Sequence, residues 1–104
     1  MDIREYIEKE TGIPTAEVAF TKPQARPFIA ILDSTQEDGD DFHARLQSHD
    51  LTVELYADRI DAQAESRLEV AFAKKAWKVT KDRTWISSEK MFETIYTTNF
   101  VEKR

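Results

Sequence analysis

Between Leu51 and Trp77 the apolar residues change their spacing, and the rest of the chain reads around that change. Leu51-Thr52-Val53-Glu54-Leu55-Tyr56 alternates apolar and polar, which puts Leu51, Val53 and Leu55 on one face of a β-strand. Asp58-Arg59-Ile60-Asp61 breaks the alternation. From Ala62 the period lengthens: Ala64, Leu68, Ala71 and Phe72 recur at three- and four-residue steps, the stripe of one long α-helix. Asp61 is the expected N-cap, and Glu65 in the first turn complements the helix dipole.

Upstream, Asp2 to Glu10 predicts a short helix with Ile3, Tyr6 and Ile7 as its apolar stripe. Gly12 is placed to end it and Pro14 prevents its continuation. Val18-Ala19-Phe20 is a weak strand candidate, and the prolines of Lys22-Pro23-Gln24-Ala25-Arg26-Pro27 predict a loop. Phe28-Ile29-Ala30-Ile31-Leu32 is apolar at every position, as expected of an interior strand covered on both faces. Ser34 to Asp41 is polar and acidic around Gly39 and predicts a solvated loop. Phe42 to His49 fits either a helical turn or the start of a long strand reaching Tyr56.

Downstream, Val79 to Ile86 alternates loosely, with a turn expected near Lys81-Asp82-Arg83. Ser87-Ser88-Glu89-Lys90 predicts a second turn, closing an antiparallel hairpin with Met91 to Val101, a run rich in strand formers. There Phe92, Thr94, Tyr96, Thr98 and Phe100 share one face, with Met91, Ile95 and Val101 on the other. The order predicts a single α+β domain over residues 1–104. It has two layers: a mostly antiparallel sheet of four to five strands against one long helix, with a short N-terminal helix.

A chain of 104 residues buries about 65% of its unfolded surface without staples. The absence of cysteine removes disulfides, thiolate catalysis and cysteine-ligated zinc, and is consistent with a reducing cytosol. No apolar run approaches the roughly 20 residues of a membrane span, and Met1-Asp2-Ile3-Arg4-Glu5 lacks the pattern of a signal peptide. The net charge of -5 argues against sequence-independent DNA binding. Residues 1–72 carry 7 Lys/Arg against 16 Asp/Glu, and residues 73–104 carry 8 against 4. That asymmetry is either two differently solvated faces or a means of pairing with a neighbour.

Few residues suggest reactive chemistry. With Gly39 at the sixth position of a calcium loop, Arg45 falls where the bidentate glutamate belongs, so the acidic loop is not expected to hold calcium. His43 and His49 are six apart, the wrong spacing for a helical zinc pair, and no third histidine or cysteine is available. Two glycines cannot build a glycine-rich phosphate cradle. No metal, cofactor or catalytic residue is therefore assigned, and an enzyme using His43 or His49 is the least favoured reading. Lys74, Lys75, Lys78, Lys81, Arg83 and Lys90, interleaved with Trp77 and Trp85, suggest either a nucleic-acid face or a helix end whose cations complement its dipole. The second is preferred, with both tryptophans in the core, as are Phe92, Tyr96 and Phe100.

Pro27 to Asp33, then Glu54-Leu55-Tyr56 leading to Asp61 and Glu65, then Trp85-Ile86-Ser87-Ser88-Glu89-Lys90-Met91-Phe92 resemble a type of small prophage protein. Its members are similar to the tail-completion or tail-terminator proteins of long-tailed phages, and the likeness runs from about residue 12 to residue 100. One departure stands out: members often carry a glycine after the long helix, where this chain has Ala76-Trp77-Lys78. The resemblance implies a non-enzymatic virion protein, present in the host cytoplasm during assembly. It would form a ring between the tail-tube protein and a head-closure or connector protein, with DNA passing through unbound and no membrane involved. A monomeric adaptor or inhibitor is the alternative. For a ring, the charge pattern offers two surfaces: acidic Glu37, Asp38, Asp40 and Asp41, and basic Lys74, Lys75, Lys78, Lys81 and Arg83.

Overall fold

The computed structural model describes residues 2–19, 25–38 and 46–103. Helix α1 (Ile3–Thr11) starts where the Asp2 carboxylate accepts from the Glu5 N–H at 3.0 Å, and stops at Gly12, whose φ of 70° is left-handed. Four strands and a helix follow: β1 (Thr15–Glu17), β2 (Phe28–Asp38), β3 (Leu46–Ala57), α2 (Ala62–Lys74) and β4 (Thr80–Ile86), before the final strand β5 (Met91–Lys103). The five strands form one mixed sheet in the order β1-β2-β3-β5-β4. β1 runs parallel to β2, and the other three pairings are antiparallel.

Alternation of side chains decides which face is covered. Ile29 and Ile31 of β2, Leu51, Val53 and Leu55 of β3 and Tyr96 of β5 form one buried cluster with Ile3 and Ile7 of α1 and Ala64, Leu68 and Phe72 of α2. Both helices therefore lie on the same face of the sheet. Among the described residues the other face carries no helix, and although Ala30 is buried there, Leu32 is 41% exposed, so the Phe28–Leu32 run has a helix layer on one side only. Its apolar composition reflects a half-buried position in the sheet, with Phe28 stacked on Tyr56 at 5.0 Å.

Helix α2 is shorter than the long helix expected. Its N-cap is Asp61, which accepts from the Ala64 N–H at 3.0 Å. It ends at Lys74 in a pair of crossed hydrogen bonds, from Ala76 N–H to Ala73 O at 3.0 Å and from Trp77 N–H to Phe72 O at 3.0 Å. That closure requires a left-handed residue at position 76. Ala76 supplies it with φ 58°. The turn returns Trp77 to the core, where it stacks on Phe100 at 4.3 Å and meets the edge of Tyr6 at 6.1 Å.

Strands outrun helices here. Thirteen residues of helix rise ~20 Å, whereas thirteen of strand reach ~43 Å, so the helices cannot cover the whole sheet. The Ser34–Asp38 stretch, expected as a loop, continues β2 in register with β3 from Ser34↔Asp50 to Asp38↔Leu46. It is polar because this end of the sheet meets water on both faces; residues 39–41 lie outside the described residues. The same extension settles residues 46–49 as strand, while 42–45 lie outside the described residues. No turn interrupts Lys81-Asp82-Arg83, which forms the middle of β4, a strand at the edge of the sheet and solvated accordingly. The candidate strand at Val18–Phe20 is displaced to Thr15–Glu17. Val18 has φ 66° and is 68% exposed, and Phe20 lies outside the described residues. Among the described residues no helix is long and apolar enough to cross a membrane.

Candidate functional site

The basic stretch does not fold into one free patch. Lys74, the last residue of α2, reaches across to α1 and pairs with Glu10 at 2.9 Å. Lys75 sits over the Tyr6 ring at 4.7 Å. Lys78 is exposed between α2 and β4, and its carbonyl accepts from the Thr98 hydroxyl at 2.7 Å. Lys81 and Arg83 alternate with Asp82 along β4 and turn toward the helix side, because they pair in register with Tyr96 and Thr94.

There both cations meet buried Glu65. Arg83 Nη2 donates to Glu65 Oε1 at 2.6 Å and its Nε to Oε2 at 2.9 Å. Lys81 Nζ lies 2.8 Å from Glu65 Oε1 and 2.7 Å from Glu69 Oε2. Thr94 donates to Glu65 at 2.9 Å and the Tyr96 hydroxyl to Glu69 at 2.8 Å. Hydrogen bonds from Arg83, then from Lys81 and Thr94, outweigh the effect of burial and hold Glu65 down at about 2. Lys81 lowers Glu69 in the same way, and the two glutamates raise Lys81 in turn. The hub fastens the edge strand to α2. The sequence pattern shows Glu65 only as a first-turn acid; its buried pairing depends on β4 returning beside β5.

The acidic residues lie elsewhere. Glu37 and Asp38 end β2, opposite Gln47 and Leu46 of β3; Asp40 and Asp41 are outside the described residues. Since β2 and β4 are separated by β3 and β5, Glu37 and Asp38 stand apart from Lys81 and Arg83 across the sheet. The fold keeps them apart within one chain.

Two clusters have no signature in the sequence because each gathers residues from different strands. His49 is buried at 4% exposure, stacked on Phe100 at 4.5 Å. Its Nδ1 is 2.9 Å from Asp33 Oδ2 and its Nε2 is 3.0 Å from Glu102 Oε2. The carboxylates flank the ring on opposite sides, which clamps the imidazole instead of collecting donors about one point. Among the described residues no group of His, Asp and Glu could hold a metal ion. On the open face of the sheet, the Tyr56 hydroxyl lies between Glu93 Oε2 at 2.7 Å and Glu54 Oε2 at 3.2 Å. The tryptophans divide: Trp77 packs against the core, whereas Trp85, expected inside, is 49% exposed and tilted against half-buried Phe92 at 4.7 Å. Tyr96 is buried and Phe100 packs against the core.

This architecture has a counterpart among known structures. A chain in the virion of a native gene transfer agent particle is similar in fold, with a TM-score of 0.58 over 94% of this chain and 84% of that one. Only 8% of the aligned residues are identical, so the likeness is one of fold. No protein-family model matches the chain, and no curated protein matches it.

Proposed function

We propose that this protein is a structural component of a phage-type virion, acting without catalysis at the junction of head and tail. In this reading it completes or terminates the tail by assembling as a ring on the tail tube. Its partners are further copies of itself, the tail-tube protein and a head-closure or connector protein, and DNA passes through the ring without specific contacts. The protein belongs to the virion and to the host cytoplasm while particles assemble. The observation that carries this reading is the fold shared along nearly the whole chain with a component of a gene transfer agent virion. The sequence resemblance to small tail-completion proteins points the same way. A closed ring needs two different surfaces that meet head to tail, and Glu37 on β2 and exposed Lys78 before β4, set apart by β3 and β5, offer a candidate pair.

The test is assembly. Purified protein, alone and with tail tubes, is examined by mass photometry and electron microscopy, and particles are imaged from a phage lacking the gene. Rings capping the tubes, together with unjoined heads and tails in the deletion, are expected. A protein that stays monomeric on tail tubes, with normal particles in its absence, would replace this reading with that of a monomeric adaptor.

A further inference from the structure

The open face of the sheet carries a group of side chains whose hydrogen bonds cannot all be made without an extra proton. β3 and β5 pair with Tyr56 opposite Glu93 and Glu54 opposite Ile95, which sets the two carboxyl groups diagonally across the strands. The Tyr56 hydroxyl has one hydrogen and faces both, at 2.7 Å from Glu93 and 3.2 Å from Glu54. That one hydrogen can serve only one of the two carboxyl groups at a time. Ionised carboxylates have only acceptor atoms, so the hydroxyl's second contact is attractive only when that carboxyl carries a proton.

Among the described residues the neighbouring rows supply no countercharge. From β2 the same rows present Phe28 and Ala30, and from β1 Ala16, all uncharged. From β4 they present Thr84 beside Glu93 and Asp82 beside Ile95, and Asp82 adds a further negative charge. Among the described residues no helix covers this face. Arg26, near the same end of the sheet, is taken up by Asp58 at 3.1 Å and by the carbonyls of Glu89 and Lys90 at 3.2 and 3.1 Å. Among the described residues no cation forms an ion pair with Glu54 or Glu93.

We propose that Glu54, Tyr56 and Glu93 form a proton-operated latch between β3 and β5. With one proton held between the carboxyl groups the latch is closed; when that proton leaves to water, the two carboxylates repel and this part of the sheet loosens. The latch is a property of the single chain, independent of the head-tail reading. Burial, followed by the contact with Glu93, pushes Glu54 up to about 7 from its ordinary 4.5. Because the folded value is the higher one, the latch's stabilisation is complete below about 4.5 and is lost as pH rises through about 7.

Hydrogen exchange read by mass spectrometry, at about pH 5.5 and about pH 8 and corrected for the intrinsic rate, tests this. In the wild-type chain, peptides covering residues 52–57 and 91–97 should lose protection several-fold at the higher pH. In Glu93→Gln the amide can donate to Glu54 and accept from Tyr56 at either pH, so the pH-dependent loss should shrink. The variant comparison separates the latch from any other titrating group. Equal protection in the wild type at both pH values, or an unchanged pH dependence in Glu93→Gln, overturns the proposal. Carbon NMR of the Glu54 carboxyl group in the wild-type chain provides a reading that needs no variant. Glu54 should titrate near neutrality, and its titration in the ordinary carboxylate range overturns the latch.

Discussion

Arg83 on the edge strand and Glu65 on helix α2 meet through two hydrogen bonds, at 2.6 and 2.9 Å, and so tie the last-placed strand of the sheet to the layer above it. Glu65 is buried and Arg83 about half exposed, which makes the carboxylate the member that depends on the pair. Glu65→Ala should cost about 2–3 kcal/mol, since it leaves Arg83, Lys81 and Thr94 without their common acceptor. The pH dependence has a definite sign. Glu65 sits at about 2 in the fold, below its ordinary 4.5, so its stabilisation is present above about 4.5 and is lost as pH falls toward about 2. Acid titrations followed by circular dichroism should show wild type and Glu65→Gln converging as the pH drops. Parallel curves would mean that the pair does not stabilise the fold.

Leu68 is fully buried at the centre of the stripe that α2 lays on the sheet. Leu68→Ala should therefore cost about 2–5 kcal/mol through lost transfer energy and the cavity left behind. Urea unfolding measures this directly. A loss below roughly half a kcal/mol would mean that the helix does not pack as described.

The two helix ends predict opposite signs for glycine. Gly12 has φ 70° and an added Cβ would meet no atom within 4 Å, so Gly12→Ala should destabilise through backbone strain alone, by about 1 kcal/mol. Ala76 at φ 58° carries that strain already, and Ala76→Gly should stabilise the chain by about 1 kcal/mol. Thermal melts of both variants check the pair, and equal signs would contradict the left-handed assignment at one end.

Assembly should respond to salt if opposed charges steer neighbours into a ring. Exposed charges are screened over about 8 Å at physiological ionic strength, and steering affects the rate of encounter more than the final affinity. Ring formation should therefore slow as salt rises. Reversing Lys74, Lys75 and Lys78 to glutamate should slow it at any salt. Lys74 also pairs with Glu10, so circular dichroism must first show that the variant is folded. Light scattering that gives wild-type assembly rates for a folded triple variant would exclude a charge-steered interface at this surface.

Local patterning was enough for the elements whose signals lie within a few residues. Gly12 and Asp61 mark helix ends because capping is chemistry at one or three residues' distance, whereas Asp2, expected as the first helical residue, is the N-cap. The turn before Met91 and the alternation along β3 and β5 follow from periodicity for the same reason. What the sequence left open depends on neighbours far along the chain. Ser34–Asp38 and Lys81–Arg83 look like loops because strands at an exposed end or edge of a sheet are as polar as loops, and only pairing with β3 and β5 makes them strands. Helix α2 stops early because Trp77 packs back on Phe72 and Phe100, a tertiary demand met by straining Ala76. The charged clusters around Glu65, His49 and Glu54 each join residues that only the strand register brings together. The sequence by itself determined where the helices and central strands lie; the tertiary fold decided which charges are buried, which are spent within the chain and which face of the sheet is left open.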